Sequence, residues 1–167
     1  MIVRYENCES ERQRLAKIIC GRADFFLPLS IIAEGERLVG IYETGGYTKL
    51  ADIYFEADMV YDFAVLFFGM IEHMRDFLFF PDRSVLSRHN IFIDSDFKEI
   101  RLAYIRDVET GSEKKRVLNL FYSLKKKCSG KCRGQIDEIM RMYASGNGDV
   151  FRMLAAVNDM KRNRAVL

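Results

Sequence analysis

Apolar residues along this chain keep two spacings, one of strands and one of helices. Residues 1–7 read as a first strand, and Glu9 to Cys20 as a charged helix with Leu15, Ile18 and Ile19 on one side and Gly21 as its stop. Pro28 opens the β-branched run Leu29 to Ala33, Glu34-Gly35-Glu36 makes a turn, and Leu38 to Tyr42 follows, which predicts a β-hairpin. After Gly45-Gly46, Thr48 is placed to cap a short helix through Phe55. Asp58 is placed to cap a long one from Met59 to about Phe79, ended by Pro81-Asp82. Phe63, Leu66, Phe67, Met70, Met74, Phe77 and Leu78 recur every three to four residues, giving that helix one broad buried face. Ile91 to Asp94 and Ile100 to Tyr104 read as strands around the turn Ser95 to Glu99. Residues 105–112 read as a loop, and helices are expected over about 113–127, 131–144 and 148–160. Strands and helices are segregated along the chain, so the expected fold class is α+β. No Pro/Ser-rich linker divides it, and residues 1–167 are expected to form a single domain, strand-containing over 1–47 and mainly helical over 48–167.

Composition narrows the class. The chain has 167 residues, 49% of them apolar and 30% charged, which excludes a disordered or collagenous chain. A helix needs about 20 apolar residues to span a bilayer, and the longest apolar run, Phe63 to Ile71, falls well short. The start, Met1 to Cys8, has no basic segment followed by an apolar one, so a cytoplasmic location is expected. The thiols Cys8, Cys20, Cys128 and Cys132 are then expected to be reduced. Cys128 and Cys132 form C-x3-C, off the usual zinc-ligand spacing, and no metal or other cofactor is expected.

The charge is small overall but unevenly placed. The net charge is +2, yet Lys114, Lys115, Arg116, Lys125, Lys126, Lys127, Lys131 and Arg133 fall within residues 114–133 without one acidic residue. Such a segment suits phosphates of nucleic acid or an anionic membrane surface. A solvated helix end, with cations against the negative end of the dipole, has the same look. Phe121 and Tyr122, with Leu118, read as core rather than as a base-stacking platform.

Other constellations are weaker. Glu72 and Asp76 are four apart on the long helix beside His73 and Arg75, a spacing shared by paired catalytic carboxylates and by any polar helix face. His89 has no evident nucleophile to serve. Asp94 and Asp96 bracket a tight turn, where Asp side chains commonly bond backbone N–H groups.

Three runs carry a resemblance. Gly40-Ile41-Tyr42-Glu43-Thr44-Gly45-Gly46-Tyr47-Thr48-Lys49-Leu50 looks like a protein-kinase hinge and the short helix after it. Met59 to Phe79 looks like the long central helix, and His89-Asn90-Ile91-Phe92-Ile93-Asp94 resembles the end of a kinase catalytic loop. The catalytic parts are replaced. Val85 stands where the catalytic aspartate would be, Tyr104-Ile105-Arg106 stands where Asp-Phe-Gly would hold magnesium, and no G-x-G-x-x-G loop occurs. Phe25-Phe26-Leu27-Pro28-Leu29-Ser30-Ile31, Tyr42-Glu43-Thr44-Gly45, Asn90-Ile91-Phe92-Ile93-Asp94 and the Ile100–Tyr104 strand are similar to an uncharacterised bacterial domain family. Its members often precede a forkhead-associated (FHA) domain in proteins of Gram-positive anaerobes. Tyr104-Ile105-Arg106-Asp107 departs from that family, which has a Pro-Gly there. The fold implied is a degenerate, pseudokinase-like one, similar to the cytoplasmic domain of a type VII secretion membrane component. The implied function is a non-catalytic scaffold with a protein partner in a secretion, pilus or signalling assembly, with a vestigial cleft at Asn90, Asp94 and Tyr104. The alternative is an anion-binding module acting through segment 114–133.

Overall fold

The structure is a computed structural model describing residues 1–21, 23–57, 59–81, 84–106, 111–146 and 148–164. The proposed cap Asp58, Asp82 of the Pro81-Asp82 stop and residues 107–110 of the expected loop lie outside the described residues. The fold is α+β. Strand β1 (Ile2–Glu6) leads into helix α1 (Glu9–Ile19), and β2 (Leu29–Glu34) and β3 (Arg37–Tyr42) form the expected hairpin. Gly35 sits in its two-residue turn at φ 60°, a left-handed conformation that costs glycine nothing. Strand β1 returns to pair antiparallel with β3, so β3 is central in the order β1–β3–β2. Gly40, mid-way along β3, lets the Tyr5 ring lie against the backbone. A Cβ there would stand 2.8 Å from Tyr5 Cε2 and 3.0 Å from Leu29 Cδ1.

A second antiparallel sheet has the order β4 (Tyr47–Lys49), β5 (Ile91–Asp94), β6 (Ile100–Leu102). Here the expectation of a helix from Thr48 to Phe55 is corrected. Thr48 pairs with Ile93 in a strand, and only one 3-10 turn follows, Leu50–Asp52, with no side-chain cap. A β-branched threonine with a strand partner gains more from the ladder than as the cap of a single turn. The segment before β2 stitches the sheets together: Leu102 N–H donates to Phe25 O at 2.8 Å and Leu27 N–H to Leu102 O at 3.1 Å.

Helix α2 (Met59–Asp76) is the axis of the molecule. Phe63, Ala64, Phe67, Phe68, Ile71 and Met74 are fully enclosed, and α5 (Val150–Arg164) lies along it, tied by Lys161 to Asp62 at 2.6 Å. The helix stops earlier than expected. Phe79 N–H bonds back to Met74 O and Leu78 N–H to Arg75 O, a Schellman closure with Leu78 left-handed at φ 60°. Leu78 therefore faces solvent instead of extending the buried stripe. Helices α3 (Glu113–Leu124) and α4 (Gly130–Ser145) complete the fold, capped by the Ser112 and Ser129 hydroxyls, which accept from Lys115 and Cys132 N–H. Arg75 joins Glu113 at 2.8 Å and so holds the end of α2 to the start of α3. Nearly all the buried apolar side chains form one cluster from Tyr5 to Val157, with Val39 and Ala51 outside it. Ile19, expected inside, is half exposed, because α1 turns Glu11, Leu15 and Ile18 inward instead.

Candidate functional site

Asn90 ends the loop between α2 and β5 and is fully buried. Its Nδ2 donates to Val85 O at 2.7 Å and to Ala103 O at 3.1 Å, and its Oδ1 accepts from Ser87 N–H at 2.9 Å. Both side-chain N–H bonds and the carbonyl are thus spent on backbone, and the loop is pinned to the strand beside it. Val85, at the position of a catalytic carboxylate in the kinase comparison, contributes its backbone N–H to Ile105 O at 2.9 Å.

Tyr104 is also buried. Its carbonyl accepts from Tyr5 OH at 2.6 Å and Tyr42 OH at 3.2 Å, and the two hydroxyls meet at 2.7 Å. The rings of Tyr5, Phe26 and Phe79 close on Tyr104 with centroids about 6 Å away, the range of favourable aromatic pairs. Burial, then the negative charge of Glu11, pushes the Tyr104 phenol up, and burial with Tyr42 pushes Tyr5 up as well. Asp94 lies apart from both, in the β5–β6 turn. Its Oδ1 accepts from Glu99 N–H at 2.7 Å and Lys98 N–H at 2.8 Å. Burial works against the ionised carboxyl, but these backbone bonds outweigh it and hold Asp94 below the usual carboxylate range. The three residues expected to line a vestigial cleft are two buried staples and one turn cap.

An open cleft of about 450 Å³ lies elsewhere, between α2 and the β5–β6 hairpin. Glu72 and His73 line it, with Asp24, Lys98, Glu99 and Arg101, whereas Asp76 does not. Lys98, Glu99 and Arg101 are committed within the protein. Tyr47 OH donates to Glu99 at 2.6 Å, Arg101 reaches both, and Lys98 pairs with Asp96 at 3.0 Å. His89 is exposed at the loop surface. Among the described residues, no three His, Cys, Asp or Glu side chains stand where a metal could be held, and all four cysteines are free thiols. Cys128 and Cys132 are buried, with Cys132 Sγ against Phe55 O at 3.1 Å. Among the described residues, no helix is long and apolar enough to cross a membrane.

The eight basic residues of segment 114–133 do not act as one patch. Lys114 donates to Ala144 O at 2.6 Å and Lys127 to Ala51 O at 2.7 Å, each tying off another element. Arg116 lies half-buried on α3, and Lys115 and Lys131 are exposed. Lys125, Lys126 and Arg133 converge on a concavity of about 310 Å³, together with Tyr122. Here the reading of Tyr122 as core is corrected. Phe121 is buried but Tyr122 is 60% exposed, with Lys125 Nζ 5.7 Å from its ring centre. Val117, Leu120, Phe121 and Leu124 already complete the buried stripe of α3 at helical spacing, which turns the next residue outward.

One buried charge escaped the sequence reading. Glu11 is 1% exposed, and its Oε1 is shared by Arg14 at 2.9 Å and Arg106 at 3.2 Å, joining α1 to the strand end after β6. The signal was there: Glu11 precedes Leu15 and Ile18 at the four- and three-residue steps of their own stripe.

No family model and no curated protein matches this chain.

Proposed function

We propose that this chain is a non-catalytic, pseudokinase-like domain that works by binding another protein, as a scaffold in a bacterial secretion, pilus or signalling assembly. The order of elements supports the likeness in part: strand, helix and hairpin, a turn at Gly45-Gly46, the short β4 where a kinase has a helix, the long α2, the β5–β6 hairpin, then three helices. The observation that carries the non-catalytic reading is Asn90. A kinase turns the equivalent side chain toward magnesium, whereas here both ends of the amide are bonded to backbone with no exposure. Val85 and Tyr104 bring no carboxylate to replace what is missing. Phosphoryl transfer is positioning and charge neutralisation, so nothing remains to perform it.

The outer face of the first sheet offers a surface to a partner. Ile2 stands opposite Ile41, and Ile32 opposite Val39, on one face with Arg4, Glu6, Glu34 and Arg37 around them. Ile2, Ile32 and Ile41 are exposed, and an apolar centre within a charged rim is the anatomy of protein interfaces.

Thermal unfolding with and without Mg-ATP tests the first half. A nucleotide that binds only the folded state raises the midpoint. We expect no shift at millimolar ATP, and a saturable, magnesium-dependent shift overturns the reading. For the second half, a photo-crosslinking residue at Ile32 in native cells is expected to give one discrete protein adduct that Ile41→Lys removes. A smear, or nothing, overturns it.

A further inference from the structure

We infer that the concavity of Tyr122, Lys125, Lys126 and Arg133 is a binding site for single-stranded nucleic acid, taking one base on the Tyr122 ring and the adjoining phosphates on the cations. This goes beyond the scaffold reading and stands without it. Four residues from two helices and the turn between them meet in one hollow of about 310 Å³, and none of those lining it is acidic. Lys126 and Arg133 are exposed beside it. Lys125 is oriented by Asp137 at 2.7 Å, which holds its ammonium near the Tyr122 ring rather than leaving it to sweep through solvent.

The tyrosine decides the class of ligand. A ring 60% exposed contributes nothing to the core of α3, whose stripe is already full. Beside clustered cations, such a ring offers a π-face on which any base stacks, while the cations follow the backbone. A membrane surface would favour a basic face with aliphatic side chains inserting between headgroups, and among the described residues no aliphatic side chain lines this site. In a duplex the bases are already stacked on one another and cannot reach the ring. The positive end of α4 adds to the field, because that helix starts at Gly130, three residues before Arg133.

The test is fluorescence anisotropy of the full chain with a labelled oligothymidylate, a duplex of the same length, and phosphatidylserine vesicles measured by co-sedimentation. We expect saturable binding of the single strand, weaker binding of the duplex, and a salt slope near about −1.4, about −0.7 for each of Lys126 and Arg133, since Lys125 is already paired with Asp137. Tyr122→Ala is expected to weaken binding about tenfold, and Tyr122→Phe to keep it, since stacking needs the ring and not the hydroxyl. Lys126→Ala and Arg133→Ala should each remove about 0.7 from the slope. These side chains are at the surface, so each variant should unfold at the wild-type midpoint. No binding at about 50 mM salt overturns the inference. So does binding that Tyr122→Ala leaves unchanged, equal binding of the duplex, or binding of vesicles alone.

Discussion

Replacing Asn90 by alanine would strand three backbone groups at once: the Ser87 N–H and the Val85 and Ala103 carbonyls. Each buried group left without a partner costs about 1–3 kcal/mol, and some relief by relaxation is general, so the expected loss is about 2–4 kcal/mol in urea unfolding. Asn90→Asp separates the two roles this residue has been given. A metal ligand tolerates the carboxylate, but a staple does not, because the two donated bonds vanish and a charge faces two carbonyls. Asn90→Asp should therefore destabilise at least as much as alanine at neutral pH. Asp94 makes a smaller, pH-dependent contribution. Its folded pKa is depressed, so its stabilisation is complete above the unfolded value near 3.9 and is lost as pH falls through the lower folded value. Asp94→Ala should cost about 1 kcal/mol at pH 7. As pH falls through the depressed folded value the gap between the two unfolding midpoints should close, and a constant gap would show that the carboxylate is not the cause.

Helix α2 illustrates what an element discloses about itself. Part of its buried stripe was legible from spacing, because the period of a helix is a local property of its residues: Phe63, Phe67, Met70 and Met74 are buried as expected, but Leu66 and Phe77 are only half-buried, and Ala64, Phe68 and Ile71 take the enclosed positions. Its end was not legible. The left-handed Leu78 makes no sequence signal of the kind glycine makes, and it is held there because Phe79 must turn back into the aromatic cluster with Phe25, Phe26 and Tyr104. A left-handed leucine costs about 1–2 kcal/mol, and at 67% exposure its side chain returns little packing. Leu78→Gly should then stabilise the protein by about 0.5–1 kcal/mol once glycine's greater freedom in the unfolded chain is counted. Thermal melts of the two proteins would read this directly, and a lower midpoint would mean that Leu78 packs better than its exposure implies. Strand β4 was hidden for the opposite reason. Thr48 becomes strand only because Ile93, far along the chain, pairs with it, and no window around Thr48 contains that partner. The same split runs through the candidate sites. The basic segment was visible as composition, but which of its members converge depends on the turn between α3 and α4.

The two sheets are hydrogen-bonded separately along their strands, yet they share one set of polar bonds. Tyr5 on β1 and Tyr42 on β3 both donate to the carbonyl of Tyr104, just past β6, while Glu11 on α1 reaches Arg106 beyond it. Beneath these bonds the inner face of the first sheet rests on the same apolar cluster as α2. A unit as small as this sheet and its one helix buries too little surface to be stable by itself, so its stability comes from that shared surface. Unfolding should consequently be one transition, with far-UV circular dichroism and tyrosine fluorescence tracing the same curve. Tyr5→Phe and Tyr42→Phe each remove one buried hydroxyl and should cost about 1 kcal/mol. The double variant should differ from the sum of the two, because the hydroxyls lie 2.7 Å apart and share their two protons among one another and one carbonyl. If instead the two probes separated and the double variant were additive, the first sheet would be an independent unit docked on the helical part. A partner bound at Ile32 and Ile41 would then act on that sheet alone. A single transition makes binding at that face stabilise the whole molecule, including the hollow at Tyr122 on its other half.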